Sequence, residues 1–116
     1  MNVVDLETIP ALDDFLASAK GPVLLYKHSA TCGRSAIARE EIHSLVANPP
    51  GPVSVGMIIV QSARRVSNEV ARRFAVRHES PQVLLIEGGR VVWTASHFRV
   101  TAEGIEAALK AATHPS

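Results

Sequence analysis

The sequence predicts an α/β fold, a mixed sheet with helices on both faces, and three observations carry that reading. Short apolar-rich runs at residues 23–28 and 53–60 alternate with helical patterns, as expected for parallel strands joined by right-handed crossovers. Residues 82–87, a Gly88-Gly89 turn and residues 90–95 then read as an antiparallel hairpin. Finally, 116 residues is close to the commonest domain size, so residues 1–116 form one domain able to bury a sizeable core.

Pro10 followed by Leu12, Phe15, Leu16 and Ala19 predicts a first helix, closed by Gly21. The run Val23-Leu24-Leu25-Tyr26-Lys27-His28 is apolar enough for a strand buried on both faces. Ala38, Ile42, Leu45 and Val46 fall at helical spacing and predict an amphipathic helix over about 33–47. Asn48-Pro49-Pro50-Gly51-Pro52 is too rich in helix breakers to be anything but a loop. After the second strand, Val66, Val70 and Phe74 sit four apart and predict a helix over about 67–75, capped by Ser67. Thr101 reads as the N-cap of a last helix through about 112, with Ile105, Ala108 and Leu109 facing inward. The element order is αβαβαββα with room for one more strand at the N-terminus, which is the layout of a thioredoxin-like domain.

Composition narrows the function. At 47% hydrophobic and 20% charged residues the chain is an ordinary globular protein. A net charge of +1 gives no electrostatic reason to expect nucleic acid or a membrane surface as partner. Arg64-Arg65 and Arg72-Arg73 are the only basic doublets, and they read as a solvated helix face. The longest apolar run falls far short of the ~20 residues that span a bilayer. Met1 to Glu7 lacks the basic and apolar regions of a signal peptide. One cysteine cannot close an internal disulfide, so the reducing cytoplasm is the expected compartment.

That cysteine is the best handle on chemistry. Cys32 lies in Thr31-Cys32-Gly33-Arg34-Ser35, where a strand ends and a helix begins. Lone cysteines usually pack as small apolar residues. Here the free N–H groups of the helix start and the charge of Arg34 both favour a thiolate. Ser35 stands where the second thiol of a Cys-x-x-Cys motif would be, so only one-thiol chemistry is open. Ser80-Pro81 opens the penultimate strand, a place suited to a residue that cannot donate to the ladder. In a thioredoxin-like layout it is expected to be a cis-proline beside the cysteine, with Ser80 and Pro81 lining the substrate groove.

Three segments together resemble the monothiol bacilliredoxin family: residues 26–35, residues 78–83 and residues 91–97. The likeness spans about 22–110. It implies a thiol–disulfide oxidoreductase that removes bacillithiol, or a related small thiol, from protein mixed disulfides through Cys32. Its partners would be the modified proteins and the small thiol, with no metal and no organic cofactor. The family pattern is Thr-Cys-Pro-hydrophobic-Ser, whereas this chain has Gly33 and Arg34 in the middle. Gly33 loosens the helix start that a proline would pre-set, and Arg34 adds a compensating cation.

Other residues read more plainly. His28 is a buried or capping histidine before it is a proton acceptor, His97 is structural, and Trp93 packs the hairpin. His78 and Glu79 sit beside Pro81, where they could line a thiol-binding cleft. Scattered histidines and one cysteine do not make a zinc site. A second class of function is a non-catalytic thioredoxin-like adaptor that binds partners around Pro81 with Cys32 idle. A thiol peroxidase or arsenate-reductase-like enzyme is a weaker third, for want of an oxyanion loop around Cys32.

Overall fold

A computed structural model of the chain describes residues 3–113. The elements are β1 (Val3–Asp5), α1 (Ile9–Ser18), β2 (Val23–His28), α2 (Gly33–Ala47), β3 (Ser54–Ile59), α3 (Arg64–Phe74), β4 (Gln82–Glu87), β5 (Arg90–Ser96), a 3₁₀ turn at His97–Arg99, and α4 (Ala102–Thr113). One five-stranded sheet runs β1-β3-β2-β4-β5, with β1, β3 and β2 parallel and β4 antiparallel to both β2 and β5. The extra N-terminal strand is therefore real, although it is only three residues long.

Strand periodicity sends alternate side chains of β2 to opposite faces. Leu24 and Tyr26 pack with Ala38, Ile42 and Leu45 of α2 and Ile105 and Leu109 of α4. Val23 and Leu25 pack with Leu12 of α1 and Val66 and Val70 of α3. All six β2 residues are buried, as its composition predicts. On β3, Gly56 lets Leu6 and helix α1 come close, since a Cβ there would stand 2.7 Å from Leu6 Cδ1 and 3.0 Å from Phe15 Cε2. Gly88 and Gly89 both take positive φ, 60° and 77°, which the two-residue hairpin turn requires. Thr101 does cap α4, its Oγ1 accepting from Gly104 N–H at 3.0 Å.

Two helix ends differ from expectation. Helix α3 begins at Arg64, with Ala63 as its N-cap residue, and Ser67 lies buried inside it. The apolar stripe starts one step earlier than Val66, because Ala63 is itself buried against the same core. Helix α1 stops at Ser18, with Ala19 in an extended conformation. Gly21 is not the left-handed cap, since Pro22 disfavours helical backbone at the residue before it. Thr8 starts α1 instead, its hydroxyl accepting from Ala11 N–H at 3.1 Å. The arginine doublets are exposed, and Arg72 and Arg73 pair with Glu69.

Candidate active site

The site begins at the C-terminal end of β2, the middle strand. A three-residue bridge, Ser29-Ala30-Thr31, carries the chain to Cys32, which occupies the N-cap position of α2. Gln61, just beyond β3, secures that bridge: its Oε1 accepts from Ala30 N–H at 3.1 Å, and its Nε2 donates to Ser29 Oγ at 2.8 Å and to Thr31 Oγ1 at 3.3 Å. Thr31 therefore serves the loop that places Cys32.

The Cys32 thiol is held below its ordinary pKa. The N–H of Ser35 contributes most, then that of Arg34, and the Ser35 hydroxyl adds to them. The Arg34 charge also lowers it but ranks last, and the guanidinium stacks 4.6 Å over the ring of the exposed Phe98. Helix-start N–H groups are thus the main source of thiolate stability, with Arg34 secondary. Gly33 is exposed and opens α2 without a proline.

Ser35 is fully buried, and its Oγ accepts from Ser29 N–H at 3.1 Å. Behind it, Tyr26 OH donates to the Ser35 carbonyl at 2.9 Å and lies 2.8 Å from His28 Nδ1. A phenol has one hydrogen, so with that hydrogen on the carbonyl His28 must donate from Nδ1. Burial, then Arg39, pushes the His28 pKa down, and burial pushes the Tyr26 phenol up. His28 is thus a neutral, buried support of the first turn of α2.

The second group singled out in the sequence lies in the segment before β4. The Ser80–Pro81 bond is cis, and the Pro81 carbonyl accepts from His97 N–H at 2.9 Å. His97 is in the left-handed region at φ 56°, a conformation that costs a non-glycine residue about 1 kcal/mol or more. The stack of Arg34 on Phe98, next along the chain, links this segment to the first turn of α2.

The chain is matched over residues 4–105 by the family described as monothiol bacilliredoxin BrxC. The chain belongs to the monothiol bacilliredoxin family. Solved structures agree on the fold. A protein described as having a thioredoxin fold superposes with a TM-score of 0.84 at 27% identity, covering 91% of this chain and 92% of its own. A mutant thioredoxin from Halobacterium salinarum NRC-1 gives 0.79 at 16%, covering 99% and 94%. Chloroplastic thioredoxin z gives 0.76 at 18%, covering 95% and 93%. Family and fold together support a thiol redox role for this bacilliredoxin.

The structure brings Cys32, Arg34 and Ser35 together at the first turn of α2, and it links Pro81 to that turn through the His97 N–H and the Arg34–Phe98 stack. Sequence reasoning missed a row of polar side chains across the same end of the sheet. Lys27, Gln82 and Ser96 are direct cross-strand neighbours on β2, β4 and β5. Each reaches the segment 77–79. Lys27 Nζ lies 3.2 Å from His78 Nδ1 and donates to the Ser67 carbonyl at 3.0 Å. Gln82 donates to the Arg77 carbonyl at 2.9 Å and accepts from Glu79 N–H at 3.4 Å. Ser96 donates to Glu79 Oε2 at 2.6 Å. Their one sequence signal was polar residues inside otherwise apolar strands.

Lys27 is completely buried, and burial lowers its pKa from 10.5 to about 8. Below that pH the amine is charged in both folded and unfolded chains. Between about 8 and the unfolded value near 10.4 only the unfolded chain keeps the proton, so stability rises with pH there. Above about 10 the buried Tyr26 phenol opposes the gain, because the unfolded chain ionises first. The urea midpoint of the wild type should climb from pH 8 to pH 10, and Lys27→Met should remove the climb. A wild-type midpoint that stays flat over that window would contradict the assignment.

Proposed function

We propose that this protein is a one-cysteine thiol–disulfide oxidoreductase that reduces protein–bacillithiol, or related small-thiol, mixed disulfides. The observation that best supports this is the position of Cys32 at the N-cap of α2, with a buried serine where a second thiol would stand. In the first step the Cys32 thiolate attacks the small-thiol sulfur of the mixed disulfide. That bond breaks, the protein sulfur leaves as thiolate, and Cys32 retains the small thiol in a new disulfide. In the second step an external thiolate attacks the small-thiol sulfur on Cys32. It leaves as a disulfide with the small thiol and regenerates Cys32. Exchange runs through sulfur alone and needs no metal or organic cofactor.

Ser80 and Pro81 form the groove wall against which an extended segment of the client lies. The working compartment is reducing, the cytoplasm, where a second thiol is always supplied. Among the described residues no helix is long and apolar enough to cross a membrane.

Alkylation of Cys32 against pH tests the reading. The rate should follow a midpoint below the ~8.5 of an unperturbed thiol. Ser35→Ala should raise that midpoint more than Arg34→Ala, matching the order of their influence on the sulfur. A wild-type midpoint at the unperturbed value would leave Cys32 idle and favour a partner-binding adaptor. Intact mass of protein purified without reductant then names the small thiol from its adduct on Cys32.

A further inference from the structure

A chain with a net charge of +1 can still distribute that charge unevenly, and here the topology decides where it falls. Strands β2 and β3 are parallel and each is followed by a helix, so α2 and α3 both start at the same end of the sheet. Lys27 near the end of β2 pairs with Gln82 at the start of β4, and Gln82 pairs with Ser96 at the end of β5. The segment before β4 and the turn after β5 therefore emerge at that end as well. These four approaches, residues 28–36, 60–67, 76–81 and 97–101, carry Arg34, Arg64, Arg65, Arg77 and Arg99 against a single acidic residue, Glu79. The acidic Asp5 and Glu7 belong to the far edge of the sheet, at β1 and just beyond it.

All five arginines are exposed, and among the described residues none of them is in a salt bridge. The last turn of α3 differs, since Arg72 and Arg73 pair with Glu69, and Arg73 also with Asp13. Glu79 is engaged elsewhere: one oxygen takes the Ser96 hydroxyl at 2.6 Å and the other lies 3.4 Å from His97 Nε2. The arginines also connect to the nucleophile. Arg34 acts on the Cys32 thiol and stacks over Phe98, the neighbour of Arg99. The bond from His97 N–H to the Pro81 carbonyl joins the segment of Arg77 to the turn that carries Arg99. Arg77 acts in turn on Glu79, and Arg64 on His78.

Single exposed charges contribute little, but several of one sign around a site select partners by charge. The group runs from the helix after β3 to the turn after β5, three strand spacings or about 14 Å. That is the reach of about four extended residues, so it fits a stretch of polypeptide rather than one small thiol. Resting on the exchange reading above, we propose that these arginines form a client-docking surface that favours protein segments carrying Asp or Glu beside the modified cysteine.

The test uses two peptides that are alike except that their one cysteine is flanked by glutamates or by glutamines. Each is disulfide-bonded to 2-mercaptoethanol, a neutral small thiol. The Cys32 thiolate attacks the mercaptoethanol sulfur, that disulfide breaks, the peptide leaves as thiolate, and Cys32 keeps mercaptoethanol in a new disulfide. The quantity read is the ratio of acidic to neutral peptide release rates in each protein, so the peptides' own reactivities cancel between proteins. Arg77→Gln combined with Arg99→Gln should cut the wild-type ratio about threefold, the scale of exposed ion pairs. Arg34 stays in place, which keeps the thiol undisturbed. Lys20→Gln combined with Arg90→Gln removes the same charge from the opposite end of the sheet, before β2 and at the hairpin, and should keep the wild-type ratio. An unchanged ratio in the Arg77 and Arg99 variant, or an equal fall in the Lys20 and Arg90 variant, overturns the docking surface while leaving Cys32 exchange standing. No release of either peptide overturns the exchange reading itself, and this inference with it.

Discussion

Given a protein disulfide-bonded to bacillithiol and no other thiol, this bacilliredoxin should release one equivalent of reduced product and stop. The chain holds a single cysteine, so the adduct formed on Cys32 has no internal thiol to displace it. Ser35 occupies the place of a resolving group, but a hydroxyl cannot enter disulfide exchange. It is also buried and engaged by Ser29 N–H at 3.1 Å. Adding bacillithiol, or a comparable thiol, should restart turnover at a rate that rises with its concentration. Cys32→Ser should abolish even the first equivalent. Ser35→Cys should allow internal resolution and leave a disulfide between Cys32 and the introduced thiol, provided their Cα atoms lie within the usual 4.4–6.8 Å. Product measured against enzyme concentration decides the matter, and multiple turnovers by the wild type without added thiol would refute the one-cysteine cycle.

Leu45→Ala should cost about 2–5 kcal/mol, because it removes a fully buried side chain from the core between the sheet, α2 and α4. For a domain of this size that corresponds to a fall in Tm on the order of 10 °C or more. The Cys32 alkylation midpoint should not move. Position 45 lies more than three helical turns along α2, about 20 Å at 1.5 Å per residue, from the turn that stabilises the sulfur. Thermal unfolding and the pH titration measured on the same sample separate the two effects. A loss below about 1 kcal/mol would mean that the core closes over the missing leucine. A shifted thiol midpoint would mean that core packing and site are coupled.

The legible parts of this chain were those written in local signals. Strand β2 announced itself as six apolar-rich residues, α2 by the spacing of Ala38, Ile42 and Leu45, and the hairpin by Gly88-Gly89. Cys32 and Ser35 were readable because helix-start chemistry depends on residues within one turn. The start of α3 was misplaced because alanine at position 63 carries little hydrophobic signal on its own. Strand β1 was too short to declare itself, and its pairing with β3 lies about 50 residues away in the chain. The same distance hid the partners of the site. Lys27 meets Ser67 and His78, Gln61 meets the 29–31 bridge, and Glu79 meets Ser96 only after the sheet has assembled. Arg34 carried a second surprise, since its guanidinium stacks on the exposed Phe98 while its charge remains the smaller of its influences on the sulfur.

Consecutive residues of β2 serve two parts of the site. Tyr26 and His28 brace the first turn of α2 from one side of the sheet, and Lys27 anchors the segment before Pro81 from the other. One strand is therefore the common datum for both the Cys32 turn and the segment before Pro81. At the rim Gly33 carries no side chain, while Arg34 and Phe98 are exposed and hold one another by a stack at 4.6 Å that reinforces this alignment from outside. Such a division permits retargeting: the exposed rim can be rewritten, by selection or by design, while the buried bonds of Tyr26, His28 and Lys27 stay in place.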